Sequence, residues 1–369
     1  MVFKRASTGT SLNKGVSLRR AMLYEVVDSE KKLVRCSVCE RRCVIPPDAS
    51  GLCGNYVNID GVLYHLGYGR LSAAESRPIE IKPLFHYWPN STALTFSNWG
   101  CNFYCPWCQN HHISFRKPTV NDPITEPEKL IKTAILNGDE GFSASFNEPS
   151  THFDYLVDLF TEARKHNLYA MVVTNGYLTL RALEVLVTEA GVDGWSIDIK
   201  GCPSMPKNIL PGIDHTIVFR NAKRVLDLGG HVEMVFLVVP KVNDFDECIE
   251  WIIGKHLDML GPKVPLHVNR YYPAHHWREP PTPIDKLIDI AKRARREGIE
   301  FVYVGNVHDP ELEATRCPSC GKVLIYRRWY RVTYFGLDKE GERYRCPRCG
   351  YEIPIRGKFI PWKSFSLIN

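Results

Sequence analysis

An α/β fold built on a parallel sheet, either open or curled into a barrel, follows from three features of this sequence. Seven short apolar runs alternate with amphipathic stretches of helical period between residues 91 and 310. Five of those runs lead directly into polar or metal-binding residues, as happens where strands of one sheet deliver groups to a common end. Eleven of the thirteen cysteines fall into three tight sets, one inside this region and one on each side of it.

Taken in order, residues 1–20 read as a flexible arm that is basic but carries no continuous apolar run, so it is not a secretory signal. Residues 21–90 form a cysteine-rich N-terminal region, where "IPPDASGLCGN" and "NIDGVLYHLGYG" read as loops and short hairpins. The core, residues 91–310, holds the strand candidates "TALTFS", "GFSASF", "YAMVVT", "GWSIDI", "HVEMVFLVV", "PLHVNRY" and "FVYVG". Helix candidates between them include 149–167, 179–190 and 283–298, the last closing at Gly298 as a C-cap with "KRARREG" on its solvated face. Residues 311–369 form a tail with two CxxC knuckles and basic-aromatic strands.

The bulk properties limit the function classes. Hydrophobic residues make up 44% and charged residues 24% of 369, ordinary values for a globular chain of two or three domains. A net charge of +6 permits an anionic partner without requiring one. No segment approaches the roughly 20 apolar residues that cross a bilayer, so the expectation is a cytoplasmic protein without membrane or nucleic-acid partners. In a reducing compartment thirteen cysteines serve as metal ligands more readily than as disulfides. Cys202 and Cys248, which stand alone, are expected to be free and buried.

The centre of interest is "NWGCNFYCPWCQN", residues 98–110, with Cys101, Cys105 and Cys108. Its CxxxCxxC spacing differs from the paired spacing of a zinc finger. Three thiolates can hold three irons of a cubane and leave the fourth open for a ligand, as catalytic zinc leaves one position open. Zinc completed by His111 or His112 is the alternative. Phe103, Tyr104 and Trp107 would shield a cluster from bulk water. The strand ends supply Asn147 and Glu148, Asn175, Asp198 and Lys200, and Asn269 to Tyr272. A plain Asn-Gly turn is the alternative for Asn175, and a surface ion pair for Asp198 and Lys200.

"CNFYCPWCQN" resembles the signature loop of the radical S-adenosylmethionine (SAM) superfamily. "SFNEPSTHFDY" is similar to that superfamily's SAM-amino-binding motif, and "VVTNGY" and "SIDIKG" resemble the following strand ends in glycyl-radical-enzyme activases. The resemblance implies a partial (β/α)6 TIM-like barrel in which Cys101, Cys105 and Cys108 bind a [4Fe–4S] cluster. One iron of it is chelated by SAM. One electron then cleaves SAM to methionine and a 5′-deoxyadenosyl radical that abstracts hydrogen from substrate. Asn147, Glu148, Asn175, Asp198, Lys200 and Arg270 become candidates for the SAM pocket. A ferredoxin- or flavodoxin-like electron donor is implied, with a protein substrate among the options. Over residues 33–355 the chain is most similar to the radical SAM enzyme of the AmmeMemoRadiSam system, a relative of the pyruvate formate-lyase activating enzyme. It departs from that pattern in "CPSMPKNILPGIDHT" and "VNRYYP", stretches that could touch substrate. A true glycyl-radical activase is the alternative within the class. A zinc-rich RNA-binding or scaffold protein is the alternative outside it.

Two flanking sets remain. Cys317, Cys320, Cys346 and Cys349 form two CPxCG knuckles, a closed four-sulfur pattern typical of a structural zinc ribbon and shared by rubredoxin-like iron. Cys36, Cys39, Cys43 and Cys53 make another four-thiolate set, with zinc as the first reading and a second iron–sulfur cluster as the alternative. Between the knuckles, "LIYRRWYRVTYF" predicts a strand pair with a buried aromatic side and a solvated side carrying Arg327, Arg328 and Arg331. His111, His112, His275 and His276 take surface or hydrogen-bonding roles by default, with His275 and His276 placed after a strand end.

Overall fold

The computed structural model describes residues 18–361. Its central sheet has eight strands: β1 (Leu71–Pro78), β2 (Thr92–Asn98), β3 (Gly141–Ala144), β4 (Tyr169–Thr174), β5 (Gly194–Ile199), β6 (His231–Val238), β7 (Leu266–Arg270) and β8 (Val302–Gly305). They lie side by side in chain order. β2 to β8 run parallel, whereas β1 is antiparallel to β2. The seven parallel strands are the seven apolar runs, one more than the six that the family resemblance implies.

Sequential parallel strands need crossovers, and helices supply them. They are α1 (Pro127–Asn137), α2 (Phe153–Lys165), α3 (Leu180–Glu184, continued by a π turn), α4 (Thr216–Asp227), α5 (Asp246–Leu260) and α6 (Ile284–Glu297). Thr179 caps α3 by accepting from the Ala182 amide, and Gly298 stops α6 in a left-handed conformation at φ 120°. Phe142, Met171, Trp195, Met234 and Leu266 are all buried. Covered on both faces, such strands read as nearly continuous apolar runs, which is why they are visible in the sequence.

The strands' N-terminal end is sealed by a polar knot. The Glu233 carboxylate, fully buried, accepts from the amides of Phe85 (3.0 Å) and His86 (2.7 Å) and pairs with His231 (2.9 Å) and His267 (2.7 Å). The tail docks here. Phe85, Phe301 and Tyr303 share one apolar cluster with Leu324, Ile325 and Val332. Arg327 corrects the expectation of a solvated cationic strand face: it is fully buried. Its guanidinium lies 4.2 Å from the Phe85 ring centroid and donates to the Phe85 carbonyl (2.7 Å), the Glu313 carbonyl (3.1 Å) and Thr315 Oγ1 (2.9 Å). Trp329 and Tyr334 are exposed instead, while Ile325 and Arg327, which share one strand face, are buried.

The N-terminal region forms two small antiparallel sheets. Arg19 and Arg20, at the end of the stretch read as an arm, pair with His65 and Tyr64, while residues 1–17 of it lie outside the described residues. Cys202 and Cys248 are corrected as well. They are joined in a disulfide with a Cα–Cα separation of 5.6 Å, formed where the loop after β5 meets α5. Among the described residues no helix is long and apolar enough to cross a membrane.

Several buried histidines tie stability to pH. Burial holds the pKa of His86 down to about 3 and those of His215 and His256 to about 4. The unfolded chain protonates these imidazoles below about pH 6.5, whereas the folded chain does not. Their contribution is therefore complete above pH 6.5 and declines as pH falls toward 4, by about 1.4 kcal/mol per unit for each group. Denaturant unfolding at pH 7 and 5.5 should show lower stability at 5.5, with a shallower decline in His256→Gln. An unchanged slope in that variant would remove His256 from the account.

Candidate active site

The three-cysteine loop leaves β2 through Gly100, whose φ of +86° suits glycine. A Cβ there would also meet the Cys53 carbonyl oxygen at 2.3 Å, so the loop and the N-terminal region are in close contact. Asn147 pins the start of the loop, its Nδ2 donating to the carbonyls of Asn98 and Gly100, both at 2.7 Å. The Phe103 amide donates to Cys101 Sγ at 3.4 Å. Phe103 and Trp107 are buried around the thiols, whereas Tyr104 is exposed and donates to the Leu52 carbonyl. Burial, reinforced by Glu148, raises the Cys101 thiol well above its usual range, and burial lifts Cys105 to about 12. The loop alone therefore keeps these protons, and a bound cationic metal centre would displace them.

Around the loop stand the strand ends. Glu148, buried after β3, accepts from the Ser150 amide (3.0 Å) and Thr174 Oγ1 (2.8 Å) on one oxygen, and from the Asn175 amide (2.8 Å) on the other. Burial raises its pKa while those hydrogen bonds oppose the shift. Asn175 is more than a turn former, because its Nδ2 donates to Asn102 Oδ1 in the cysteine loop at 2.7 Å. Asp198 and Lys200 form a half-buried ion pair of 2.8 Å after β5. Burial works against the Lys200 charge, but Asp198 and the Cys105 thiol together raise its pKa.

Glu148, Asn175, Asp198 and Lys200 are thus linked, directly or electrostatically, to the cysteine loop. Arg270 lies at the same end of the sheet, but its guanidinium donates to the Thr282 carbonyl (2.9 Å) and Tyr272 Oη (3.2 Å). Residues 274–277 strap the loop from outside: the amides of His276 and Trp277 donate to the Pro106 carbonyl. This brings the two histidine pairs together, with the His111 and His275 rings stacked at 4.5 Å. Thr174 is among the polar strand-end residues the sequence offers, whereas Ser150 and Asn102 carry no signal of their own. Asn102 sat within the quoted loop and was the more accessible of the two to inference.

The cysteine sets differ in spread. Among the described residues, the group whose ligand atoms all lie within 4.8 Å of one another is Cys317, Cys320, Cys346 and Cys349. Its cross-pairs approach to 3.5 Å and 3.6 Å, close to the edge of a tetrahedron of sulfurs about 2.3 Å from one ion. Gly321 and Gly350, at φ +73° and +74°, let each knuckle turn, and their amides donate to the carbonyls of Cys317 and Cys346. Neither Cys101, Cys105 and Cys108, with or without His111 and His112, nor the N-terminal set is gathered so tightly. Three thiols on one loop are a donor set that could hold three irons of a cubane.

The chain is similar to proteins of one superfamily. The family model of the radical SAM superfamily matches residues 99–252. An uncharacterized protein of Methanocaldococcus jannaschii is 37% identical over 341 residues, 92% of this chain and 99% of that protein. A second protein of that organism, provisionally named a glycyl-radical enzyme activating enzyme, is 25% identical over 64% of this chain and 87% of its own length. Among solved structures, a radical SAM methyltransferase from Sphaerobacter thermophilus is 16% identical, with 59% of this chain and 67% of that one covered and a TM-score of 0.46.

Proposed function

The chain belongs to the radical SAM superfamily, and on that premise we propose that it reductively cleaves SAM and uses the resulting radical to take hydrogen from a substrate. The observation that carries this reading is the three-thiol loop beside the ends of β3, β4 and β5, where a cubane held by three thiolates would keep one iron open to SAM. When bound there, a reduced [4Fe–4S] cluster supplies one electron to the SAM sulfonium, giving methionine and a 5′-deoxyadenosyl radical.

The chain's own residues bind and orient. Cys101, Cys105 and Cys108 hold the cluster, and Asn147 holds the loop to the end of β2. Glu148 presents a buried carboxylate to the SAM amino group, positioned by Thr174, Ser150 and Asn175. Lys200, oriented by Asp198, places a cation beside the cluster thiolates and the SAM carboxylate. Arg270 lines the far side of the pocket. Asn175 lies along the pocket and couples it to Asn102. A ferredoxin or flavodoxin supplies the electron, and the tail quartet holds a structural zinc. The overall assignment is an activating-enzyme-like oxidoreductase of the AmmeMemoRadiSam type; the named M. jannaschii relative keeps glycyl-radical activation as a second reading.

Protein purified without oxygen should be brown and should release 5′-deoxyadenosine from SAM only when dithionite is present. Colourless protein carrying zinc alone after reconstitution with iron and sulfide would overturn the proposal and favour a zinc-rich scaffold.

A further inference from the structure

Cys36, Cys39, Cys43 and Cys53 come from a strand end, two turns and a loop, yet they line one cavity. They are mutual electrostatic neighbours, but they do not gather within 4.8 Å as the tail quartet does. A single tetrahedral ion would need thiolates about 3.8 Å apart at Zn–S distances near 2.3 Å. A cubane needs them wider, because an iron separates each thiolate from the centre.

Two buried polar residues stand on the cavity wall. Asn102 is 1% exposed and its side chain is turned to Cys39, a sulfur acceptor. Asn175 donates to its Oδ1, so the amino group is the end that faces the thiols. Ser150, also 1% exposed, is held by the Glu148 carboxylate at the edge of the cavity. Both residues line the cavity. A buried amide donor aimed at a cysteine suits sulfur, and the sulfurs of an anionic cluster accept from it. Arg41 lines the same cavity and adds a positive charge.

We propose that these four cysteines hold a second [4Fe–4S] cluster, fully ligated by protein, with Asn102 between it and the SAM-binding cluster. Cys39 lies on the Asn102 side of this cavity, and Asn102 immediately follows Cys101, so the two centres are neighbours. The four-thiolate set leaves no iron open to SAM, which separates its role from that of the first site.

The test is metal and spectroscopic analysis of the full chain reconstituted without oxygen. Wild type should carry about eight irons and C101A/C105A/C108A about four, the latter with a cubane spectrum that SAM does not alter. C39A/C53A should lose half of the iron and keep the SAM-responsive signal. A triple variant that binds zinc in place of iron, or shows no cubane spectrum, overturns the second cluster even if C39A/C53A fails to fold. Four irons in both the wild type and the triple variant would uphold the second cluster and instead defeat the first-site reading.

Discussion

Cys105→Ala should abolish reductive SAM cleavage while leaving the fold intact. Cys105 is buried in the middle of the three-thiol loop, electrostatically coupled to Lys200 and Cys108. Its removal leaves two thiolates at a centre that already uses only three. Because loss of an outer-sphere partner alone costs about 10–100-fold in affinity or activity, loss of a ligand should exceed about 100-fold. Release of 5′-deoxyadenosine under dithionite is the measurement, with Cys349→Ala in the tail as the control that keeps the reaction. Turnover retained in Cys105→Ala would refute the cluster assignment.

Glu233→Ala should be the most destabilising single change at the opposite end of the sheet. One carboxylate satisfies four groups there: the amides of Phe85 and His86 and the imidazoles of His231 and His267. Burial opposes its charge, but the two imidazoles hold its pKa well below the usual carboxylate range. Truncation orphans all four partners, each at about 1–3 kcal/mol, so a loss of about 4 kcal/mol or more is expected. The knot also supports Phe85, against which Arg327 and the tail pack, so the tail should loosen with it. Denaturant unfolding of the variant measures the effect. A change within about 0.5 kcal/mol, the range of ordinary surface substitutions, would show that the knot is dispensable.

The two ends of the sheet were not equally legible. The active end could be read because five of the seven apolar runs stop at polar or metal-binding residues, and because the cysteine spacing is local. The sealing end could not. Glu233 sits inside the run "HVEMVFLVV", and apart from its neighbour His231 its partners are His267, 34 positions on, and Phe85 and His86 in the segment before β2. Arg327 was misjudged for the same reason: a charged residue in a short strand is usually solvated, and only the carbonyls of Phe85 and Glu313 make its burial affordable.

What the sequence by itself determined are features written within a few residues: seven apolar runs, the CxxxCxxC loop, the two CPxCG turns and the glycine that ends α6. Backbone geometry over such distances leaves little freedom, so spacing specifies arrangement. Only the tertiary structure decided what meets across segments. It joined Cys202 to Cys248, turned Asn175 toward Asn102, and set the tail thiols close and the N-terminal thiols wide. Those outcomes depend on how strands and loops pack. The separation of two thiols distant in the chain follows from that packing, and no local pattern encodes it.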